Sequence, residues 1–155
     1  MSQIEIERYA ATLPAIESAE GDDPEDTQLL RSMGEDAKKY LGAMPWCRRI
    51  REGYFGDGVG GVVAVFLFRI EPVSEADEWV WVVNGDLPDA YFVTDRSPTA
   101  SDALETYCEL MSEWVDAVRS GCSLQNVFQV DAPATKEAAK SLESIIEFLR
   151  SEILG

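Results

Sequence analysis

The sequence predicts an α+β fold. It is a three- to four-stranded antiparallel meander with helices packed on it, in the order α-β-β-β-α-(β)-α. Three observations predict it. The most apolar and β-branched stretch, residues 59–94, reads as consecutive strands broken by polar turns. Apolar residues at helical spacing flank it on both sides, before residue 42 and again from residue 101 onward. The strands follow one another rather than alternating with helices, which favours antiparallel pairing over a parallel α/β sheet. A chain of 155 residues is expected to be one domain, 1–155, long enough to bury a core.

The elements follow in order. Residues 1–20 are open between helix and irregular chain: Ile6, Tyr9, Ala10 and Leu13 have helical spacing, and Pro14 would open a new turn. Residues 20–26, EGDDPED, are a polar breaker. A helix is expected from Asp26, as N-cap, to Gly42, with Leu30, Met33, Ala37, Tyr40 and Leu41 on one face. Residues 45–58, PWCRRIREGYFGDG, suit either a short helix or an irregular approach to the sheet.

The first strand is Val62 to Ile70, apolar on both faces and therefore expected at the centre of the sheet. Glu71 to Asp77 turn the chain, Trp79 to Val83 form the second strand, and Tyr91 to Thr94 the third. Pro88 removes a ladder donor, so residues 84–90 read as a loop rather than a tight Asn-Gly hairpin. A helix from Ser101 to Arg119 carries Leu104, Tyr107, Cys108, Met111, Trp114, Val115 and Val118 on one side, capped by Thr99 or Ser101 and ended by Gly121. Val127 to Val130 is expected as a short edge strand. Thr135 to Ile153 forms the last helix, with Ala138, Leu142, Ile145, Ile146, Leu149 and Ile153 inward.

Charge narrows the function classes. The net charge is −16. Nucleic acid and anionic membranes are recognised by clustered Lys and Arg, so neither is expected as a partner. The charge suits a basic protein partner or a bound cation. Of the segments 1–45, 46–73, 74–100 and 101–155, only 46–73, with four arginines against three carboxylates, has net positive charge. Met1 is not followed by a signal-peptide pattern, and the longest apolar run, Val62 to Phe68, is too short to span a bilayer. Cys47, Cys108 and Cys122 are odd in number and lack a CxxC pair, which fits reduced thiols and a cytoplasmic location. There is no histidine, so a Cys–His dyad is impossible, and in place of a structural zinc site of four Cys or His ligands a cysteine–carboxylate site is the most that could be built. No cofactor and no metal are expected.

Four groups of residues invite a chemical reading. Gly56, Gly58 and Gly61 satisfy GxGxxG, and Val63 extends the pattern. The next element is a strand, not the helix that a dinucleotide fold needs, so the run reads as a bulged entry to that strand. Asp102, Glu105, Glu109, Glu113 and Asp116 are spaced 3, 4, 4 and 3 and share one face of a helix. That face is either simply solvated or a docking surface for a basic partner. Asp86, Asp89 and Asp95 sit at strand ends, where both local turn bonds and catalytic carboxylates occur. The EF-hand calcium spacing is absent. Arg48, Arg49 and Arg51 pair with the chain's own acids or bind an anion. Cys47 beside them would have a lowered pKa if exposed. Trp79 and Trp81 share one face of their strand and line a groove if that face is uncovered.

The stretch WVWVVNGDLPDAYFVTD (79–95), the helix DALETYCELMSEWVDAV and the C-terminal KEAAKSLESIIEFLRSEI resemble a group of uncharacterised bacterial proteins with a W-V-V-x-GDLP-x-AYF core. The resemblance covers the last half and carries no catalytic residues. In size and acidity the chain is also similar to bacterial immunity proteins, which mask basic toxins. The functional expectation is a small cytoplasmic interaction domain rather than an enzyme, an immunity-type inhibitor or regulatory adaptor. Its contact residues are Asp102, Glu105, Glu109, Glu113 and Asp116. The alternative is a small-molecule or anion site, with catalysis open, built from Arg48, Arg51, Gly56, Gly58, Asp86 and Asp95. A structural homodimer, marked by an exposed patch at Trp79 or Trp81, is the third reading.

Overall fold

The computed structural model describes residues 3–73, 77–95, 97–130 and 132–154. The chain divides into two compact units, Met1–Ala103 and Leu104–Gly155. In the first unit, helix α1 (Gln3–Ala10) leads through a 3₁₀ turn (Ile16–Ser18) to α2 (Pro24–Gly42). Four strands follow: β1 (Cys47–Val59), β2 (Val63–Pro72), β3 (Trp79–Gly85) and β4 (Ala90–Val93). They pair antiparallel in the order β1-β2-β3-β4, so the fold is an α+β meander. Helix α3 (Ala100–Ser120) continues into the second unit, which holds α4 (Lys136–Phe148) and a π-helical turn, Leu149–Ile153.

The fourth strand is not where the sequence pattern puts it. Residues 127–130 are irregular, while residues 47–59 form the longest strand, on the sheet edge. Glycine and charge hide β1 from propensity. Its in-out alternation is also broken three times, by register shifts at Cys47/Arg49, Ile50/Glu52 and Phe55/Asp57. In each, β1 gains one residue over β2, and the extra residues are Arg48, Arg51 and Gly56. The cap of α2 also lies three residues earlier than expected. Asp23 accepts the Asp26 amide at 2.7 Å with Pro24 in the first turn, where a missing N–H costs nothing. The Asp26 carboxylate is used elsewhere, accepting from the amides of Asp22 and Gly60.

β2 is central and sealed on both faces, as its unbroken apolar run implies. On one face Phe66, Phe68, Ile70, Val80 and Val82 pack with Leu30, Met33, Ala37 and Leu41, which recur at helical spacing along α2. On the other face Val65, Leu67, Trp79, Trp81 and Val83 are buried. The Tyr9 ring meets Trp81 edge-on at 6.1 Å, and the Trp81 indole donates to the Ser97 carbonyl at 2.6 Å. The Tyr9 hydroxyl accepts the Ala100 amide at 3.0 Å, satisfying a first-turn donor of α3. Trp79 and Trp81 are 4% and 0% exposed, so neither lines an open groove.

In the second unit, Thr135 caps α4 by accepting the Ala138 amide at 3.1 Å. The regular α-helix ends at Phe148, five residues before the expected end, and the last turn is π-helical. Leu142, Ile146 and Leu149 are buried at i, i+4 and i+7. Arg119 of α3 forms a fork with Glu143, with Nη2 donating to Oε1 at 3.0 Å. Among the described residues no helix is long and apolar enough to cross a membrane.

Candidate functional site

Helix α3 presents two unlike faces. Leu104, Tyr107, Cys108, Met111, Trp114 and Val115 are buried. Glu105, Glu109, Glu113 and Asp116 are exposed. At about 100° per residue, those four and Asp102 fall within an arc of about 80°. Asp102 differs from the rest: it is half-buried and belongs to the helix cap. The Thr99 hydroxyl donates to its carboxylate at 2.8 Å and accepts its amide at 3.2 Å. Glu105, Glu109 and Glu113 are successive i,i+4 like-charge pairs, each destabilising the helix by about 0.2–0.5 kcal/mol.

Among the described residues no lysine or arginine pairs with Glu105, Glu109, Glu113 or Asp116. Arg119, the first base along that helix, is held by Glu143. The carboxylates act inward as well. Burial pushes the Cys108 thiol up to about 11, and the charges of Glu105 and Glu109 add to the rise against an opposing pull from Arg150. Four carboxylates in a row, with no ion pair to them among the described residues, make a surface that attracts positive charge over several ångströms of water.

The second cluster lies at one end of the β1–β2 ladder. Glu71 accepts from Arg49 Nε at 2.6 Å, with Arg51 Nη2 at 3.5 Å and Arg48 Nη1 at 3.8 Å. Three guanidinium groups therefore converge on one carboxylate. On a regular strand Arg48 and Arg49 would point to opposite faces. The bulges at Arg48 and Arg51 re-aim those side chains. Glu71 carries no signal in its own neighbourhood of sequence, since its role depends on cross-strand register. Arg51 also lines a shallow groove of about 380 Å³ with Lys38, Glu17 and Tyr54. Cys47 is buried in the core beneath α2, so burial raises its pKa, in contrast to the lowered value expected for an exposed thiol beside arginines.

Beside this cluster, Arg69 is ringed by Glu78 at 2.7 Å, Glu7 at 3.5 Å and Glu52 at 3.9 Å, with its guanidinium 5.5 Å from the Trp79 ring centre. This network, which sequence reasoning missed, ties α1 to the sheet.

The glycine motif serves the turn between β1 and β2. Gly56 is the bulged residue, opposite no partner. Gly58 and Gly61 have φ of +155° and +80°, and a Cβ on Gly58 would lie 2.5 Å from the Val63 carbonyl oxygen. Asp86 sits at this same end, its amide donating to the Val62 carbonyl at 2.9 Å. Asp89 accepts from Asn84 at 3.0 Å, a local turn bond. Asp95 lies in the turn after β4. Glu71 lies nine residue steps along the chain from Val62, about 30 Å at the rise of a strand. The register thus brings Gly58 and Asp86 together and places Arg48 and Arg51 at the far end. Among the described residues no three Cys, Asp or Glu side chains converge as a metal site would require.

Comparison of the chain with family models, with curated proteins and with solved structures returned no match.

Proposed function

We propose that the chain is a small acidic interaction domain, an immunity-type inhibitor or regulatory adaptor, that binds a basic protein partner through the exposed face of α3. One observation carries this reading: Glu105, Glu109, Glu113 and Asp116 stand in a row on an exposed face with no cation paired to them among the described residues. A solvated helix face is commonly stabilised by interspersed i,i+4 Glu–Lys pairs. This face has repulsion instead, which a basic partner would relieve. The net charge of −16 adds long-range steering, so association is fast and salt-sensitive. The location proposed is the cytoplasm, in keeping with three unpaired cysteines.

The test is affinity capture from a lysate of the producing cells, using the wild-type chain and a Glu105→Gln, Glu109→Gln, Glu113→Gln triple variant as baits. A basic protein held by the wild type at low salt, released at raised salt and not held by the variant supports the reading. The same proteins on both baits overturn it.

A further inference from the structure

The arginine cluster at Glu71 has the composition of an anion site rather than of a simple ion pair. Three guanidinium groups face one carboxylate, leaving two positive charges without an ion-pair partner among the described residues. They do so on a chain whose net charge is −16. The arrangement depends on two β-bulges, one at Arg48 and one at Arg51, which turn residues of opposite strand parity toward the same acceptor. Arg48, Arg49 and Arg51 remain 59%, 65% and 47% exposed, so their outer donors are open to a ligand. Bulges and charges on an edge strand also deter pairing with another strand. Deterrence alone, however, does not require the three side chains to share one acceptor.

We propose that Arg48, Arg49 and Arg51 form a binding site for a phosphoryl dianion, a phosphate monoester or free phosphate, with Glu71 as its resident competitor. A phosphate monoester carries about −1.5 to −2 charges at neutral pH, which matches the two positive charges left unpaired among the described residues. Planar guanidinium forks suit its oxygens bidentately. Glu71 occupies the point where the three guanidinium groups meet, so the ligand displaces it or binds against its repulsion. Affinity in the wild type is accordingly weak, and it rises when Glu71 loses its charge. This site lies in the first unit and is independent of the acidic face of α3.

The test is an NMR titration of the ¹⁵N-labelled full chain with inorganic phosphate and with O-phosphoserine, against sodium chloride at matched ionic strength. Saturable shifts are expected at the amides of residues 48–51 and at the arginine Nε–H groups, with a dissociation constant of about 1 mM or weaker in the wild type. Glu71→Gln tightens binding about tenfold or more, the effect of removing one negative charge at contact distance in water from a ligand of about −1.5 to −2 charges. An Arg49→Gln, Arg51→Gln double variant loses it. Tighter binding of O-phosphoserine than of phosphate identifies a phosphorylated side chain as the source, and equal binding identifies the phosphoryl group alone. Shifts that do not saturate, or that stay unchanged in Glu71→Gln and in the double variant, overturn the proposal. The spectra report folding of each variant, and the double variant decides the question should Glu71→Gln fail to fold.

Discussion

Arg49 donates its Nε–H to Glu71 across 2.6 Å, between two bulged residues that bring their own guanidinium groups to the same carboxylate. Removing the carboxylate leaves three like charges facing one another at a largely exposed site. Glu71→Gln is expected to lower stability by about 0.5–1 kcal/mol at low salt, as for other exposed pairs. The deficit shrinks as salt screens the arginines. Urea unfolding at two ionic strengths measures both effects. A loss that does not respond to salt would mean that Glu71 acts through packing instead.

The bond from the Trp81 indole to the Ser97 carbonyl links two fully buried residues. Trp81→Phe keeps much of the apolar volume and removes the donor. The Ser97 carbonyl loses that partner, which costs about 1–3 kcal/mol for a buried acceptor. A lower urea midpoint with unchanged slope is the expected result. An unchanged midpoint would show that the carbonyl finds another donor.

The three thiols differ in access. Cys47 and Cys108 are buried and Cys122 is exposed. Burial raises the pKa of Cys47, and raises that of Cys108 to about 11, so neither forms thiolate readily in the native state. A disulfide reagent at neutral pH is expected to titrate Cys122 alone in the folded chain and all three thiols once the chain is unfolded. Fast reaction at Cys108 would show that α3 opens locally.

Alkaline stability reports on Tyr54. Burial, with the hydrogen bond to Glu52 added, raises its phenol to about 12. The native phenol keeps its proton where the unfolded one, near pH 10, has lost it. The native state then binds more protons than the unfolded one, so stability falls as pH rises through that interval. This contribution is full below about pH 10 and is lost toward pH 12. Tyr54→Phe is expected to flatten that part of the curve of urea midpoint against pH. An unchanged slope would assign the alkaline loss to other groups.

The fold was legible where apolar pattern and secondary structure coincide. Val62 to Ile70 announces a central strand because both faces are apolar, and α3 announces itself by the spacing of Leu104, Cys108, Met111 and Val115. β1 was not legible, because Arg48, Arg51 and Gly56 each interrupt the alternation by one residue. Their meaning appears only against the partner strand. The acidic face of α3 was legible for the same reason as its core face, since one period generates both. Glu71 and the Arg69 network were not, because cross-strand convergence leaves no local trace. The strand expected at Val127 to Val130 has the right composition and no ladder to join.

The acidic face of α3 is tested most directly by one comparison. Wild-type chain and the Glu105→Gln, Glu109→Gln, Glu113→Gln variant are first unfolded in urea, then used as baits for the same lysate at low and at raised salt. The account predicts opposite changes. The variant gains about 0.4–1 kcal/mol of stability at low salt from losing two like-charge i,i+4 contacts, and it loses the basic partner that the wild type retains. A variant that is no more stable and still captures the same partner with the same salt dependence would contradict the assignment of function to this face.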